Sequence, residues 1–509
     1  MGARPGCSRE VRRRRAHGLR RGARRVPGAH PLAALNALDR HLALVGFMGA
    51  GKSTLGPELA ARLGREFVSV DAHVEARTGK GIAELFTERG EPAFRDLEAQ
   101  AAAELLGRRS LAVVELGGGA LASSATRAAL AEHAFALRLD TSADEAWTRV
   151  AGSDRPLARD EDEFRALFEQ RAPLYDEVAD GSARDADGAV LAAAAIQVEE
   201  GTVARLAELV PGGGSLALVI DATVAEIHGD RVRSAMGDRL AGSHEVPAGE
   251  ASKTIVHATR LWSALRLDRS GTVVAVGGGT ALDLAGFTAS AYLRGVAWVA
   301  VPTTLVAQVD AAIGGKTAVD LPEGKNLVGT FHWPARVIVD PELLATLPEA
   351  ERDNGLAEVV KTGLLAGEPI WELPTAEQVR RCAAFKAAVC LRDPHDRGAR
   401  AQLNLGHTFA HALEAASAYS LPHGKAVALG LLAACRLSGL EDETRLVEEL
   451  LRPEPAQVDR DAAWAALARD KKAVSGRARL VLLDAPGEPR LGVEVDEASI
   501  RAALDALIA

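Results

Sequence analysis

The chain has 509 residues, of which 48% are apolar and 25% charged, and a net charge of −9. At roughly 150 residues per domain this predicts several domains, and the balance excludes a disordered or collagen-like chain. No apolar run approaches the ~20 residues of a membrane span, and the widely spaced cysteines Cys7, Cys382, Cys390 and Cys435 exclude a disulfide framework, so a reducing cytoplasm is expected.

Residues 1–40 hold 11 Arg, one Asp and one Glu and sum to +9, while the other 469 residues sum to −18. The folded domains therefore carry no basic surplus for nucleic acid. The extension has no clear periodicity and lacks the apolar stretch of about 7–15 residues of a secretory signal, so it is expected to be disordered.

The first folded element is the apolar run His41–Gly46, a buried-type strand. It enters Gly46-Phe-Met-Gly-Ala-Gly-Lys-Ser-Thr54, which matches the P-loop pattern in full. Gly49, Ala50, Gly51 and Thr54 supply loop amides for phosphates. Lys52 reaches the β- and γ-phosphates, and the Ser53 hydroxyl is a Mg²⁺ ligand. Phe67–Asp71 reads as a second strand ending in a carboxylate, and Val113–Gly119 as a third ending in a glycine turn that includes Gly118 and Gly119. Arg95 and Arg171 offer planar forks for a carboxylate. Arg155, in the charged loop Asp154–Pro156, is placed to reach a transferring phosphoryl from a mobile lid. Together with a P-loop these arginines read as a clamp for a small anionic acceptor.

In this order of motifs, residues 41–205 resemble shikimate kinase, a nucleoside-monophosphate-kinase-like P-loop fold with a parallel sheet. The resemblance implies Mg²⁺ with ATP, Asp71 on the shikimate hydroxyls near the transferred proton, and Arg95 and Arg171 on its carboxylate. It also implies Gly118 and Gly119 along the acceptor pocket, and Arg155 as the lid arginine. The chain departs from the family at Ser69, where a second acid helps organise Mg²⁺ through water.

Residues 206–215 end in Pro211-Gly-Gly-Gly-Ser215 and read as a flexible joint. Alternating strand and helix patterns follow over 216–348, predicting a Rossmann-like α/β subdomain with a parallel sheet. Asp221 ends its first strand, equally suited to a ribose hydroxyl or a helix cap. Val273–Val276 enters Gly277-Gly-Gly279 and a helical pattern carrying Asp283, a strand–turn–helix that favours phosphate at the helix start. Trp298–Thr304 is a strand ending in two hydroxyls. Lys316 and Lys325, beside glycines, suit a phosphate-bearing substrate. Residues 349–509 read as an α-helical, metal-binding subdomain. Glu358 and Lys361 share one helix face. His407 and His411 lie four apart, and His423 sits in a turn. The pattern suits catalytic zinc with three protein ligands, and spacing leaves open whether His407, His411 or both bind.

Residues 216–509 resemble 3-dehydroquinate synthase. The resemblance implies Zn²⁺ or Co²⁺ on Glu358, His407 and His423. It implies NAD contacts at Asp221, Glu250, Lys253, Gly278, Gly279, Asp283, Thr303, Thr304, Lys316 and Lys325. The substrate residues it implies are Asp310, Lys316, Asn326, Lys361, Lys386, Arg400, Asn404 and His411, joined by a lysine of Asp470–Lys472. Lys52, Asp71, Arg155, Lys316, Lys361 and His411 are the expected catalytic set. Thr362, Asp396 and Lys425 depart from the family's usual tyrosine, glutamate and glutamate. The expected protein is a cytoplasmic, bifunctional shikimate-pathway enzyme acting on shikimate, ATP and a heptulosonate phosphate, with a homodimer through the synthase half. The alternative is a related sugar-phosphate cyclase carrying a non-catalytic nucleotide-binding module.

Overall fold

The computed structural model describes residues 37–153, 157–473 and 479–509, with side chains throughout except at 469–473. Most of the basic extension, Arg155 and the side chains of Asp470–Lys472 lie outside the described residues.

The first unit is built on five parallel strands in the order β2-β3-β1-β4-β5: Glu66–Ser69, Ala112–Glu115, His41–Val45, Ala134–Leu139 and Gly181–Ala183. The central strand β1 reads HLALV without alternation because helices cover both faces of the sheet, and every residue in it is buried. The P-loop joins β1 to the helix Lys52–Leu63. Gly49 has φ 80°, and a Cβ there would come within 2.5 Å of the Ala146 carbonyl oxygen, so the loop's path requires glycine. One expected strand end shifts. Strand β2 stops at Ser69, whose hydroxyl caps the helix Val70–Thr78 by accepting from the Ala72 N–H at 3.5 Å, so Asp71 lies in that helix's first turn.

The second unit holds six parallel strands in the order β6-β13-β10-β9-β7-β8: Ile196–Val198, Arg336–Val339, Ala297–Pro302, Thr272–Gly277, Leu216–Asp221 and Leu240–Val246. Its edge strand is Ile196–Val198, which lies within the range expected for the first domain and pairs with β13 of this sheet. The turn that follows buries Val203, Leu206, Leu209 and Val210 with Leu218, Ile220 and Val337's neighbour Ile338. The buried Asp340 carboxylate fixes that turn by accepting from the Gly201 and Val203 N–H groups, both at 3.0 Å. The glycine run is therefore no free joint. The Arg239 guanidinium donates to the carbonyls of Ala207, Val210, Gly212 and Gly214 at 2.6–3.2 Å. A Cβ on Gly214 would also meet the Ser270 carbonyl oxygen at 2.1 Å.

An antiparallel hairpin, β11 (Lys316–Leu321) and β12 (Gly324–Phe331), projects from the sheet. The remaining chain is helical, with one correction: Arg479–Ala485 (β14) and Glu488–Glu494 (β15) form an antiparallel hairpin. The two units share one core. Leu42, Leu59 and Val190 of the first belong to the same buried cluster as Val219, Cys382, Ala383 and Ala387 of the second. The helix Thr375–Arg392 makes this junction. Arg62 of the first unit and Arg381 and Arg380 of this helix converge on Asp187 at 2.6, 3.3 and 3.5 Å.

Candidate active sites

In the first unit the acceptor cleft forms where β3 ends in Gly117-Gly-Gly119. A Cβ on Gly117 would lie 2.1 Å from Glu98 Oε1 and 3.0 Å from Asp71 Oδ1, and one on Gly119 would lie 2.4 Å from the Arg95 guanidinium. The turn thus brings Asp71 and Arg95 to one place. Arg95 reaches it because the helix Ile82–Leu106 breaks at Gly90, φ 78°. Glu98, 1% exposed, holds the Arg95 guanidinium at 2.7 Å. Burial pushes the Glu98 carboxyl up against the pull of Arg95. Arg171 donates to the Gly118 carbonyl at 3.2 Å, as does the Tyr175 hydroxyl at 2.5 Å, and burial pushes Tyr175 up to about 12. The cleft therefore gathers two arginines, Arg95 paired with Glu91 (2.8 Å) and Glu98, and the Asp71 carboxylate along a backbone wall, beside a P-loop whose Lys52 donates to the carbonyls of Gly46 (2.7 Å) and Phe47 (3.0 Å). Two contacts escape sequence reasoning. Arg149 donates to the Gly49 carbonyl at 2.9 Å, and Ser53 donates to Glu115 Oε1 at 2.6 Å.

In the second unit, close glycine contacts assemble the metal cluster. A Cβ on Gly430 would meet the Gly406 carbonyl oxygen at 2.1 Å, and one on Gly424 would meet the Asn354 carbonyl oxygen at 2.1 Å. The helices His407–Ala416, His423–Ser438 and Glu349–Ala366 can approach only through glycine there. The Gly424 N–H also donates to Asn354 Oδ1 at 2.6 Å. As a result Glu358, His407 and His423 present ligand atoms within 4.8 Å of one another. Glu358 Oε1 lies 3.2 Å from His423 Nε2 and 3.5 Å from His407 Nε2. One carboxylate and two imidazoles make the donor set of a catalytic divalent-metal site with an open position, so the residues fit the group. Of the two histidines left open, His407 turns its Nε2 to the cluster, because its Nδ1 faces the Leu405 carbonyl at 3.1 Å. The His411 ring stands perpendicular to that of His407 at 5.4 Å, outside the triangle. Burial and His407 push it down to about 4.

The charges around this cluster are tightly paired. Burial pushes the Glu358 carboxyl up, but Lys361 and the two imidazoles hold it well below the usual carboxylate range. Lys361, 2% exposed, is ion-paired with Glu358 and lies 3.8 Å from Asp310. Lys386 holds Asp310 Oδ1 at 2.7 Å and the Asp310 carbonyl at 2.8 Å. Glu414, which the sequence reading missed, meets His423 Nδ1 at 3.3 Å, the outer-shell carboxylate that orients a ligating imidazole. Its signal was its position seven residues after His407, on the same helix face. Despite burial, Glu358 and Glu414 raise His423 to about 10.

The dinucleotide cradle adjoins this cluster. The helix Gly279–Ala291 starts at the glycine turn, and a Cβ on Gly279 would touch Ala311 Cβ at 3.1 Å, next to Asp310. A Cβ on Gly278 would meet Thr304 Cγ2 at 3.2 Å. Thr303 Oγ1 is buried with no partner among the described residues, a polar atom suited to a ligand. Lys253 binds Asp283 Oδ2 at 2.6 Å and Asn326 Oδ1 at 2.5 Å. Burial pushes Asp283 up to about 6 even so. Glu250 lies 3.6 Å from Lys325 and accepts from Thr280 at 3.2 Å. Asp221 caps the helix Ala222–Met236 by accepting at Oδ1 from the Thr223 (2.9 Å) and Val224 (3.3 Å) N–H groups. Arg400 is buried and donates to the Gly314 carbonyl at 2.9 Å. Its loop is shaped by the Asp393 carboxylate, which accepts from the N–H groups of Arg397, Gly398 and Arg400 at 2.8–3.1 Å. Lys316 pairs with Asp396 at 2.5 Å. Asn404 is exposed at the end of that loop, and Lys425 is exposed in the first turn of its helix. Thr362 donates to the Glu358 carbonyl at 2.8 Å without reaching the cluster.

Residues 243–354 match the N-terminal domain of 3-dehydroquinate synthase and residues 355–473 its C-terminal domain. The 3-dehydroquinate synthase of Symbiobacterium thermophilum is 43% identical over 351 residues, covering 61% of this chain and 97% of that protein. The chain belongs to the 3-dehydroquinate synthase family. Residues 48–198 match the shikimate kinase family, so the chain joins a shikimate kinase domain to the 3-dehydroquinate synthase domains and is a bifunctional shikimate-pathway enzyme. The 3-dehydroquinate synthase of Methylococcus capsulatus is 39% identical over 322 residues, covering 58% of this chain and 90% of that one. Among solved structures, a 2-deoxy-scyllo-inosose synthase complexed with carbaglucose-6-phosphate, NAD⁺ and Co²⁺ superposes with a TM-score of 0.56 at 25% identity, covering 61% of this chain and 96% of that one. The 2-epi-5-epi-valiolone synthase of Streptomyces hygroscopicus subsp. jinggangensis, with NAD⁺ and Zn²⁺ bound, gives a TM-score of 0.54 at 27% identity, with the same coverage. Among the described residues no helix is long and apolar enough to cross a membrane.

Proposed function

We propose that the first cleft transfers the ATP γ-phosphoryl to the 3-hydroxyl of shikimate. The second cyclises 3-deoxy-D-arabino-heptulosonate 7-phosphate to 3-dehydroquinate with release of phosphate. The observation that carries the synthase reading is the Glu358–His407–His423 triangle, set against the Lys361–Asp310–Lys386 chain at the mouth of the dinucleotide cradle. When bound, a divalent metal supplies Lewis acidity at a substrate hydroxyl and NAD⁺ supplies reversible hydride acceptance. Glu358, His407 and His423 would hold the metal, with Glu414 orienting His423. The glycine turn, Lys253, Asp283 and Thr303 would hold the dinucleotide. Lys316, Lys361, Lys386 and Arg400 would neutralise and orient the substrate's phosphate and carboxylate, and His411, Asn326 and Asn404 would contact the substrate. In the kinase cleft Arg95 and Arg171 orient the acceptor carboxylate, Asp71 takes the acceptor hydroxyl's proton at its carboxylate, and Lys52 neutralises the transferring group.

The exposed apolar residues of β12, Leu327, Val328 and Phe331, support a homodimer formed through the synthase half, which sedimentation velocity tests. A supply of ATP and NAD⁺ supports action in the cytoplasm. The deciding assay uses the purified full-length chain with each substrate. Phosphate release must require NAD⁺ and a divalent metal without net NADH, and ADP formation must require shikimate. Stoichiometric NADH, or ADP formation indifferent to shikimate, would overturn the respective half.

A further inference from the structure

The P-loop carries its own acid on a neighbouring strand. Ser53 is the loop's Mg²⁺ ligand by motif, and its hydroxyl donates to Glu115 Oε1 at 2.6 Å. Glu115 is the last residue of β3, half-buried at the sheet's C-terminal edge. Strand β3 lies between β2 and β1, and Glu115 is in register with Leu44 on one side and Ser69 on the other. Ser69 is the position where an acid was expected, and its hydroxyl is occupied in capping its own helix. The negative charge missing from β2 is thus present one strand over, directly against the loop's serine. P-loop enzymes hold Mg²⁺ at the loop hydroxyl with the help of an acid on a neighbouring strand, and a hydroxyl that donates its proton to a carboxylate at 2.6 Å turns its oxygen lone pairs to that hard cation.

We propose that Glu115 is the carboxylate that positions Mg²⁺ at Ser53, replacing an acid at position 69. It is a positioning residue for the kinase reaction and acts through the cation. The inference rests on the kinase reading of the first unit, and the test separates the two.

The measurement is Mn²⁺ binding to the full-length chain saturated with ADP, followed by electron paramagnetic resonance. It is made for the parent, Glu115→Gln, Ser69→Asp and the double variant. ADP affinity in chelator is measured beside it. Glu115→Gln is expected to weaken Mn²⁺ binding roughly 10–100-fold, the usual cost of an outer-shell carboxylate. Metal-free ADP affinity should stay within about twofold, because no nucleotide contact is removed. The double variant should recover most of the loss. In turnover, Glu115→Gln should raise the Mg²⁺ concentration for half-maximal activity without changing the KM for shikimate. Unchanged Mn²⁺ affinity in Glu115→Gln overturns the proposal. So does a loss of metal-free ADP binding in that variant with the parent intact, which would make Glu115 a support of the loop. A parent that binds no ADP at all overturns the kinase reading itself.

Discussion

A chain cut at Leu216, where the glycine run suggests that a domain begins, should not fold stably, whereas one cut at Ile196 should. The difference is the segment 196–210. It buries five aliphatic side chains, Ile196, Val203, Leu206, Leu209 and Val210, each 6% exposed or less. At about 1.5–3 kcal/mol for each fully buried side chain, the segment contributes on the order of 10 kcal/mol as an upper bound. That is comparable to the whole net stability of a domain, roughly 5–15 kcal/mol. Two further losses add to it. Asp340, fully buried, loses the Gly201 and Val203 N–H donors and keeps that of Glu342, and each hydrogen bond lost from a charged group costs about 1.5–3 kcal/mol. Strand β13 also becomes an unprotected edge. Both truncations remove the kinase unit, so comparing 196–509 with 216–509 isolates this segment. The assay is the yield of soluble protein, the thermal unfolding midpoint, and NAD⁺ binding by quenching of tryptophan fluorescence. The longer chain should be soluble with one sharp transition, and the shorter should be insoluble or lack a transition. Midpoints within about 3 °C of each other, a difference of order 1 kcal/mol, would refute the reasoning.

Other perturbations probe the sites and the junction. Glu358→Gln should lower metal affinity by more than the roughly 10–100-fold expected of Glu414→Gln, read as metal retained per chain after dialysis, with shikimate-dependent ADP formation unchanged in both. Gly430→Ala places a methyl against the Gly406 carbonyl at 2.1 Å. It should separate the helices bearing His407 and His423, costing at least about 1–3 kcal/mol of stability, with metal loss at neutral pH as the readout. Asp187→Asn removes the charge shared by Arg62, Arg380 and Arg381. Because those arginines are 26–35% exposed, the cost is discounted to about 1–2 kcal/mol, and a few degrees' fall in the unfolding midpoint of the full chain checks it.

What the sequence disclosed follows from how far each signal reaches along the chain. The P-loop, the Gly277–Gly279 turn and the His407–His411 spacing are local, and each lies in the expected strand–turn–helix or helix. The metal triangle joins residues 65 positions apart, Glu358 and His423. Only the resemblance to a family selected His407 over His411, because spacing cannot report which ring nitrogen the Leu405 carbonyl engages. The fixed path of the glycine run was hidden for the same reason. Pro211-Gly-Gly-Gly-Ser215 has the composition of a linker, but composition does not reveal that Arg239, more than twenty residues on, ties down its carbonyls. Nor can a three-residue strand such as Ile196–Val198 announce which sheet it joins.

The junction bears on why the two enzymes share a chain. The helix Thr375–Arg392 faces the kinase with Arg380 and Arg381 and the synthase site with Lys386. The P-loop helix Lys52–Leu63 carries Lys52 and Ser53 at one end and Arg62, which meets the same Asp187, at the other. Each site thus stands on a rigid helix, and the two helices share one buried cluster. In the proposed reactions the product of neither site is the substrate of the other, so direct channelling does not explain the fusion. A common core does give a physical reason for it, since each unit covers apolar surface that the other would expose. On that argument the units stabilise one another without exchanging substrate. Saturating ADP should therefore protect backbone amides of Thr375–Arg392 from hydrogen exchange while leaving the synthase KM unchanged, and no change in exchange along that helix would count against a coupled core.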